Sequence, residues 1–180
     1  MFGKNKQVAH THDLDGQTLL VQEIFGTIQG EGPLAGVPAF FIRLAGCNLR
    51  CHFCDTDFES NATPVTLEDI ERTILEIAEE NNLSAQLVVI TGGEPLLQNI
   101  APLCSKLLKM SFSDIQIETA GTTWPESLTE YMGLYGEHSY QRISLVCSPK
   151  TPNLHPRVVQ YCRDYKYKLY RFNCVTQIFV

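Results

Sequence analysis

Long apolar runs and an excess of basic residues are both missing from this sequence. Its 180 residues include 14 Lys and Arg against 20 Asp and Glu, a formal net charge of -6. A nucleic-acid-binding face needs a concentrated basic surface, so this balance argues against such a partner. No stretch approaches the roughly 18 consecutive apolar residues of a membrane-spanning helix. No apolar run follows the Lys-containing start either. The sequence therefore predicts no nucleic-acid partner, no membrane span and no signal peptide.

Seven cysteines are present, but their odd number and uneven spacing do not suit a disulfide scaffold. Free thiols persist in a reducing compartment, which favours a cytoplasmic location. At 180 residues the chain is long enough to bury one sizeable core. Residues 1–16 are mostly polar and show no periodicity. We therefore expect a polar leader over residues 1–16 and a single domain over residues 17–180.

Three of the cysteines, Cys47, Cys51 and Cys54, fall within eight residues in the spacing C-x3-C-x2-C. Thiolates clustered this tightly oxidise or bind a soft metal. A closed structural site needs four protein ligands, whereas three cysteines can hold three irons of a cubane cluster and leave the fourth iron open. The alternative is a zinc site completed by a distant residue. The candidates for that fourth ligand are the remaining cysteines, Cys104, Cys147, Cys162 and Cys174.

Hydrophobic patterning predicts strands that are mostly separated by helices. Strands are expected at residues 18–25, 39–44, 86–90, 114–118, 142–147 and 165–172. Helices are expected within residues 96–110, 125–132 and 155–164, and from Thr66, which forms a capping-box pattern with Asp69. In the helix that begins at Thr66, the apolar residues fall on one face, which predicts that this face is buried: Ile70, Ile74, Ile77 and Ala78. This order predicts an α/β fold with a parallel sheet, in the form of a partial barrel that is open at one side.

The ends of the predicted strands carry polar and glycine-rich loops. In a right-handed series of β-α-β units these loops share one edge of the sheet, so they should surround one cavity. The loops are the cysteine segment and residues 91–95, 118–122 and 148–150. Glu94, which lies in the loop at residues 91–95, can accept a hydrogen bond from an ammonium group.

Two further features are typical of a binding site. Residues 26–33 place three glycines around Glu31, which marks a loop whose backbone comes close to another group, although a plain surface turn remains the alternative. Arg43 stands in a nearly all-apolar strand. A charge in such a strand must be paired or functional, so an ion pair and an anionic ligand both remain open.

The cysteine spacing, with Phe53 just before the last cysteine, resembles the radical S-adenosylmethionine (SAM) superfamily. A longer set of motifs, between about residues 20 and 165, resembles one family within it, the 7-carboxy-7-deazaguanine synthases. Those motifs are residues 28–32, Arg43, the cysteines running into Asp55 and Thr56, and residues 91–95, 117–119, 121–122 and 148–150. The resemblance implies a partial, open parallel (β/α) barrel of the radical SAM type.

The resemblance also implies a reaction. The substrate would be 6-carboxy-5,6,7,8-tetrahydropterin, and the product 7-carboxy-7-deazaguanine, on the pathway to queuosine and related 7-deazapurines. Hydrogen abstraction by an adenosyl radical, ring contraction and loss of ammonia would connect the two. The implied cofactors are a 4Fe-4S cluster, SAM and Mg2+. A homodimer and an external electron donor are implied as well.

Roles for individual residues follow from the resemblance in three sets. The metal ligands would be Cys47, Cys51 and Cys54 for the cluster and Thr56 for Mg2+. The SAM contacts would be Phe53, Cys54, Asp55, Gly93, Ser148, Pro149 and Lys150. The pterin contacts would be Ile28, Gln29, Gly30, Arg43 and Thr91, with Arg43 on the substrate carboxylate and Glu31 as a secondary candidate.

Other functions remain open at this point. A radical SAM activase, which makes a glycyl radical on a partner protein, shares the cysteine spacing and the small size. A zinc-binding module and an inactive metal-binding relative are the non-enzyme alternatives.

The end of the chain departs from the resemblance, which fades after Lys166. Members of the family are expected to continue beyond this point, so the sequence predicts a chain that is shortened at its C-terminus, although a genuine compact variant remains the alternative. The pterin half of its site would then be incomplete. The apolar ending, residues 173–180, is expected to leave an unpaired strand at the sheet edge.

Overall fold

The structure is a computed structural model that describes residues 15–134, 142–171 and 174–179. The predicted polar leader therefore lies outside the described residues, apart from its last two positions. Among the described residues, none of the helices has both the length and the apolar character needed to traverse a bilayer.

Eight strands form one sheet. They are β1 (Thr18–Ile28), β2 (Pro38–Leu44), β3 (Thr63–Thr66), β4 (Leu87–Gly92), β5 (Asp114–Thr119), β6 (Arg142–Cys147), β7 (Asp164–Arg171) and β8 (Cys174–Phe179). Their order across the sheet is β3-β1-β2-β4-β5-β6-β7-β8. The five central strands, from β2 to β7, pair in parallel. Within the described ranges the two end strands do not pair with each other, so the predicted open, partial α/β barrel is confirmed.

In the part of the chain that the structure describes, four α-helices connect the parallel strands, and all four were predicted. They are α1 (Leu67–Glu80), α2 (Ala101–Lys109), α3 (Leu128–Leu134) and α4 (Pro156–Tyr161). Thr66 caps α1 as expected, because its side chain accepts a hydrogen bond from the Asp69 amide. Pro102 and Pro156 lie in the first turns of α2 and α4, where a missing amide hydrogen costs nothing.

The predicted parallel sheet is confirmed for the central strands, whereas the strands at both edges pair antiparallel. β1 runs antiparallel to β2, because the two are joined by a short hairpin, and a parallel pair needs a crossover of a dozen or more residues. The backbone of Gln29 closes that hairpin. Its N–H donates to Val37 O at 2.8 Å, and its carbonyl oxygen accepts from Gly36 N at 2.7 Å. The sequence analysis did not predict β3, a four-residue strand that contains a proline. This strand pairs with the start of β1.

The expectation of an unpaired last strand is wrong. β8 pairs antiparallel with β7, from Lys166 opposite Phe179 to Arg171 opposite Cys174. β7 itself is the predicted strand at residues 165–172. Its first residues pair in parallel with the end of β6, Asp164 opposite Val146 and Tyr165 opposite Cys147. The C-terminal hairpin therefore continues the sheet.

The main core lies between the helices and one face of the sheet. Ile70 and Ile74 of α1 are buried there, as the helical period predicted, together with Ile115 and Ile117 of β5. Burying each such side chain contributes about 1.5–3 kcal/mol. Because side chains alternate along a strand, Gln116 and Glu118 of β5 lie on the opposite face. That second face is apolar towards β2 and polar towards β5, and its polar part leads into the site.

Candidate active site

A cavity of about 160 Å³ opens at the carboxyl ends of the parallel strands. The cysteine loop forms one wall, and the ends of β4, β5 and β6 form the others. The four predicted loops therefore do surround one cavity. Residues that line it include Cys47, Cys51, Phe53, Cys54, Asp55, Thr56, Thr91, Gly93, Glu118, Ser148, Lys150 and Lys166.

The three clustered cysteines all line this cavity, and none of the three forms a disulfide. Cys47 is buried, whereas Cys51 and Cys54 are half-buried. Burial raises the pKa of the Cys47 thiol to about 11, against a weaker opposing effect of the hydrogen bond from the Leu49 amide. Within the described ranges, no three His, Cys, Asp or Glu side chains are grouped closely enough to hold one metal ion between them, whereas in a cubane cluster each cysteine binds a different iron.

Two glycines let the cysteine loop pack directly on the end of β4. Gly92 has a φ of +147°, and a Cβ added to it would lie 2.1 Å from the carbonyl oxygen of Leu44. A Cβ on Gly93 would lie 2.2 Å from the carbonyl oxygen of Gly46 and 2.8 Å from Cys47 Cβ. The close approach that these glycines permit is to the backbone that leads into the first cysteine.

Glu94 fastens the same turn to β5. Its carboxylate is fully buried and accepts hydrogen bonds from Thr119 Oγ1 at 2.7 Å, from the Ala120 amide at 2.8 Å and from the Leu96 amide at 3.1 Å. Burial raises the pKa of this carboxyl above its usual value. Both oxygens already accept from the protein, so Glu94 positions the loops rather than presenting a carboxylate to the cavity.

The loop after β6 places Lys150 beside the cysteine loop. The Lys150 ammonium lies 6.0 Å from the centre of the Phe53 ring and donates to Ser148 Oγ at 2.5 Å. The amide of Ser148 donates to Thr119 O at 2.8 Å, which ties this loop to β5. Six of the seven predicted SAM contacts thus line one cavity, and only Pro149 lies outside its lining.

Two of the predicted pterin contacts meet on a residue that sequence reasoning did not select. Glu118 accepts from Gln29 Nε2 at 3.1 Å and from Thr91 Oγ1 at 3.2 Å. Gln116 Nε2 also approaches the same carboxylate, at 3.3 Å. The available signal was the alternation along β5, which places two polar residues on one face between buried isoleucines.

The other three predicted pterin contacts lie elsewhere. Arg43 lines an adjoining cleft with Glu23, Asp55, Thr56 and Asp57 rather than the main cavity. Its Nε lies 2.5 Å from Glu23 Oε1, and its guanidinium lies 5.8 Å from the Phe25 ring centre, so the ion-pair alternative is present in the structure. Ile28 and Gly30 are exposed on the hairpin, and neither lines the cavity.

Comparison with known proteins agrees with these features. The family model for the radical SAM superfamily matches residues 41–173. The chain is 44% identical over 167 residues to the 7-carboxy-7-deazaguanine synthase of Rhodospirillum rubrum, covering 93% of this chain and 65% of that protein. It is 45% identical over 155 residues to the synthase of Rickettsia prowazekii, covering 83% of this chain and 58% of that protein.

A solved structure supports the same relationship. The crystal structure of QueE from Escherichia coli superposes with a TM-score of 0.66 at 27% identity, over 89% of this chain and 77% of that one. The chain spans 65% of the length of the Rhodospirillum rubrum synthase and 58% of the length of the Rickettsia prowazekii synthase. The resemblance to the synthases that the motifs indicated is confirmed, and the chain belongs to the radical SAM superfamily.

Proposed function

We propose that the chain catalyses the conversion of 6-carboxy-5,6,7,8-tetrahydropterin to 7-carboxy-7-deazaguanine, in the biosynthesis of queuosine and related 7-deazapurines. The observation that carries the proposal is one cavity lined both by the three clustered cysteines and by a polar group of Thr91 and Glu118. The 44% identity to a named synthase over 93% of the chain supports this reaction over others of the superfamily.

Membership of the superfamily implies a 4Fe-4S cluster and SAM. The donor set fits, because the three cysteines face one cavity and thiolates are the ligands that iron-sulfur clusters use. Cys47, Cys51 and Cys54 would hold the cluster, and binding would release the proton that burial keeps on Cys47. When bound, the two cofactors supply an electron and an adenosyl radical for hydrogen abstraction.

The SAM contacts are proposed on the cysteine loop and on the loops that follow β4 and β6. Phe53 offers an aromatic face, and Lys150 offers a cation for a carboxylate or a ribose hydroxyl. Gly93 lines the cavity where the backbone of Gly46 and Cys47 packs against it. The remaining members of the proposed set are Cys54, Asp55, Ser148 and Pro149.

The pterin contacts are proposed on the opposite side. Gln29 and Thr91 are supported by their shared hydrogen bonds to Glu118, which adds a carboxylate to the set. Ile28 and Gly30 would contact the pterin through the backbone of the hairpin. Arg43 is also proposed to bind the substrate. Its guanidinium would then leave Glu23 and pair with the substrate instead.

Magnesium is proposed at Thr56. This hard cation prefers oxygen ligands, and Thr56 Oγ1 lies 3.4 Å from Asp55 Oδ1, at the boundary between the cavity and the adjoining cleft. We further propose a homodimer, an external electron donor and a cytoplasmic location. The free thiols of the described cysteines support the reducing compartment.

The test is anaerobic reconstitution with iron and sulfide, followed by incubation with the carboxy-tetrahydropterin, SAM, Mg2+ and a reductant. Mass spectrometry should detect 7-carboxy-7-deazaguanine without any partner protein. Cleavage of SAM only when a partner protein is added would favour the activase alternative. Stoichiometric zinc, with no iron-sulfur absorption after reconstitution, would exclude the radical mechanism.

A further inference from the structure

Lys166 lines the cavity from β7, although no motif selected it. Its side chain is 12% exposed, and its ammonium pairs with the carboxylate of Glu31, which is 37% exposed. Glu31 belongs to the hairpin between β1 and β2, so the pair connects the first hairpin of the sheet to the last parallel strand. The same hairpin also brings Gln29 to Glu118.

Lys150 and Lys166 are the two basic residues among the described lining of the cavity. Lys150 lies on the cysteine side, against Phe53 and Ser148. Lys166 lies on the side of the hairpin that carries Gln29 and Glu31. Arg43, the cation that the sequence suggests for a carboxylate, lies in the adjoining cleft with Glu23.

We infer that Lys166 binds the carboxylate of the substrate, and that Glu31 is an exchangeable internal counter-ion for the same ammonium. This inference rests on the proposed function and adds a specificity-determining residue to it. A largely buried ammonium needs an opposite charge, so a substrate carboxylate can replace Glu31 without leaving Lys166 unpaired. The partial exposure of Glu31 lets water solvate its carboxylate after the exchange.

A purely structural pair would also connect the hairpin to β7, but it predicts a different response to mutation. If the pair only fastens two elements, removing either charge weakens the same contact, and both variants change in the same direction. If Glu31 competes with the ligand for Lys166, removing Glu31 strengthens binding of a carboxylate, whereas removing Lys166 weakens it.

The experiment uses the full chain, reconstituted with its cluster and saturated with SAM, and two fluorescent probes. One is pterin-6-carboxylate, and the other is pterin without the carboxylate. The wild type should prefer the carboxylated probe. Lys166→Gln should weaken binding of that probe by about ten- to hundredfold, the range expected for a charge-assisted hydrogen bond. Glu31→Gln should tighten it severalfold, and the uncarboxylated probe should bind all variants equally.

SAM affinity and Tm report whether each variant is folded, and Lys166→Arg, which keeps the charge, should restore part of the preference. Weaker binding of both probes by Lys166→Gln and by Glu31→Gln would overturn the inference in favour of a structural pair. Loss of the preference in Arg43→Gln, with the preference kept in Lys166→Gln, would assign the carboxylate to Arg43 instead. If the wild type binds neither probe, the proposed function itself fails.

Discussion

The cofactor half and the substrate half of the site differ in how completely the structure assembles them. On the cofactor side, three thiols and all but one of the proposed SAM contacts line one cavity. On the substrate side, Thr91 lines that cavity and Gln29 reaches it through Glu118, whereas Ile28 and Gly30 are exposed and Arg43 is ion-paired in a separate cleft.

The cause of this difference is the kind of contact that holds each half. Backbone contacts fix the cofactor side: Glu94 N donates to Gly46 O at 2.9 Å, and Gly93 N to Leu44 O at 3.3 Å. On the substrate side, side-chain pairs such as Arg43 with Glu23 and Lys166 with Glu31 hold the elements. In each pair the carboxylate is the more exposed partner, so a ligand anion can replace it without leaving the cation unpaired. The substrate half is therefore the part that a ligand can rearrange.

The largest effect is expected on the cofactor side, from Cys51→Ala. If the three cysteines hold a cluster, this change removes the protein ligand of one iron. Reconstituted protein should then contain little iron, lack the absorption of the cluster and cleave no SAM. Iron and sulfide analysis with an absorption spectrum measures the loss. A variant with a full cluster and normal SAM cleavage would contradict the ligand assignment.

Cys104→Ala and Cys162→Ala are the matched controls for that change. Cys104 is fully buried between the sheet and the helices, and burial raises its thiol pKa to about 12, so it is not an available ligand. Cys162 donates to the carbonyl oxygens of Leu145 and Asp164, at 3.5 Å and 3.2 Å. Both variants should keep their iron content, and loss of iron in either would indicate that a distant cysteine is a fourth protein ligand of the metal site.

The second-largest effect is expected from Gly93→Ala, which disturbs the packing of the backbone and removes no side chain. In Gly93→Ala the new Cβ would lie 2.2 Å from the Gly46 carbonyl oxygen, so the cysteine loop must move. We expect a loss of about 3 kcal/mol or more in the free energy of unfolding, together with impaired cluster assembly. Denaturant unfolding and iron analysis measure the two effects.

Gly30→Ala is the matched control on the substrate side. A Cβ added at Gly30 meets no atom within 4 Å, so its stability and its cluster content should equal those of the wild type. If both alanine variants lose the same stability, the contrast between a backbone-packed half and an adaptable half is wrong.

A smaller effect, confined to the substrate side, is expected from Arg43→Lys. If Arg43 contacts the pterin carboxylate or another oxygen of the substrate, Lys keeps the charge but loses the planar fork, so the KM for the pterin should rise about tenfold. The KM for SAM should not change. Steady-state kinetics with each substrate varied in turn measures both constants.

Glu23→Gln tests the alternative that Arg43 serves only an ion pair. Glu23 is about half exposed, and such pairs contribute about 0–1 kcal/mol, so this variant should lose little stability. Removing the competing carboxylate should leave the pterin KM unchanged or lower it. A raised KM in Glu23→Gln would show that the pair itself organises the site.

The sequence predicted the features that depend on local pattern. The helical period of α1 located its buried isoleucines, and the capping pattern at Thr66 located its start. The order of strands and helices predicted that loops at the strand ends would share a cavity, because right-handed connections leave few alternatives. The cysteine spacing identified the wall of that cavity.

The features that were missed depend on contacts between distant segments. The sequence does not show that Glu94, 25 residues before Thr119, accepts a hydrogen bond from it. It also does not show that Lys166 meets Glu31, 135 residues earlier. β3 was missed because its four residues, one of them proline, carry too short a pattern to resemble a strand. The antiparallel edge required knowing that residues 29–37 close a hairpin.

The smallest effect is expected from Thr56→Ala, which tests the boundary between the two halves. Thr56 lines both the cavity and the cleft that contains Arg43, and it follows the cysteines directly in the chain. If its hydroxyl is one oxygen ligand of Mg2+, its loss should raise the Mg2+ concentration needed for half-maximal turnover severalfold, because the other oxygen ligands remain. Iron content and SAM affinity should not change. Thr56→Ser, which keeps the hydroxyl, should restore the wild-type Mg2+ response, and an unchanged response in Thr56→Ala would remove this residue from the metal site.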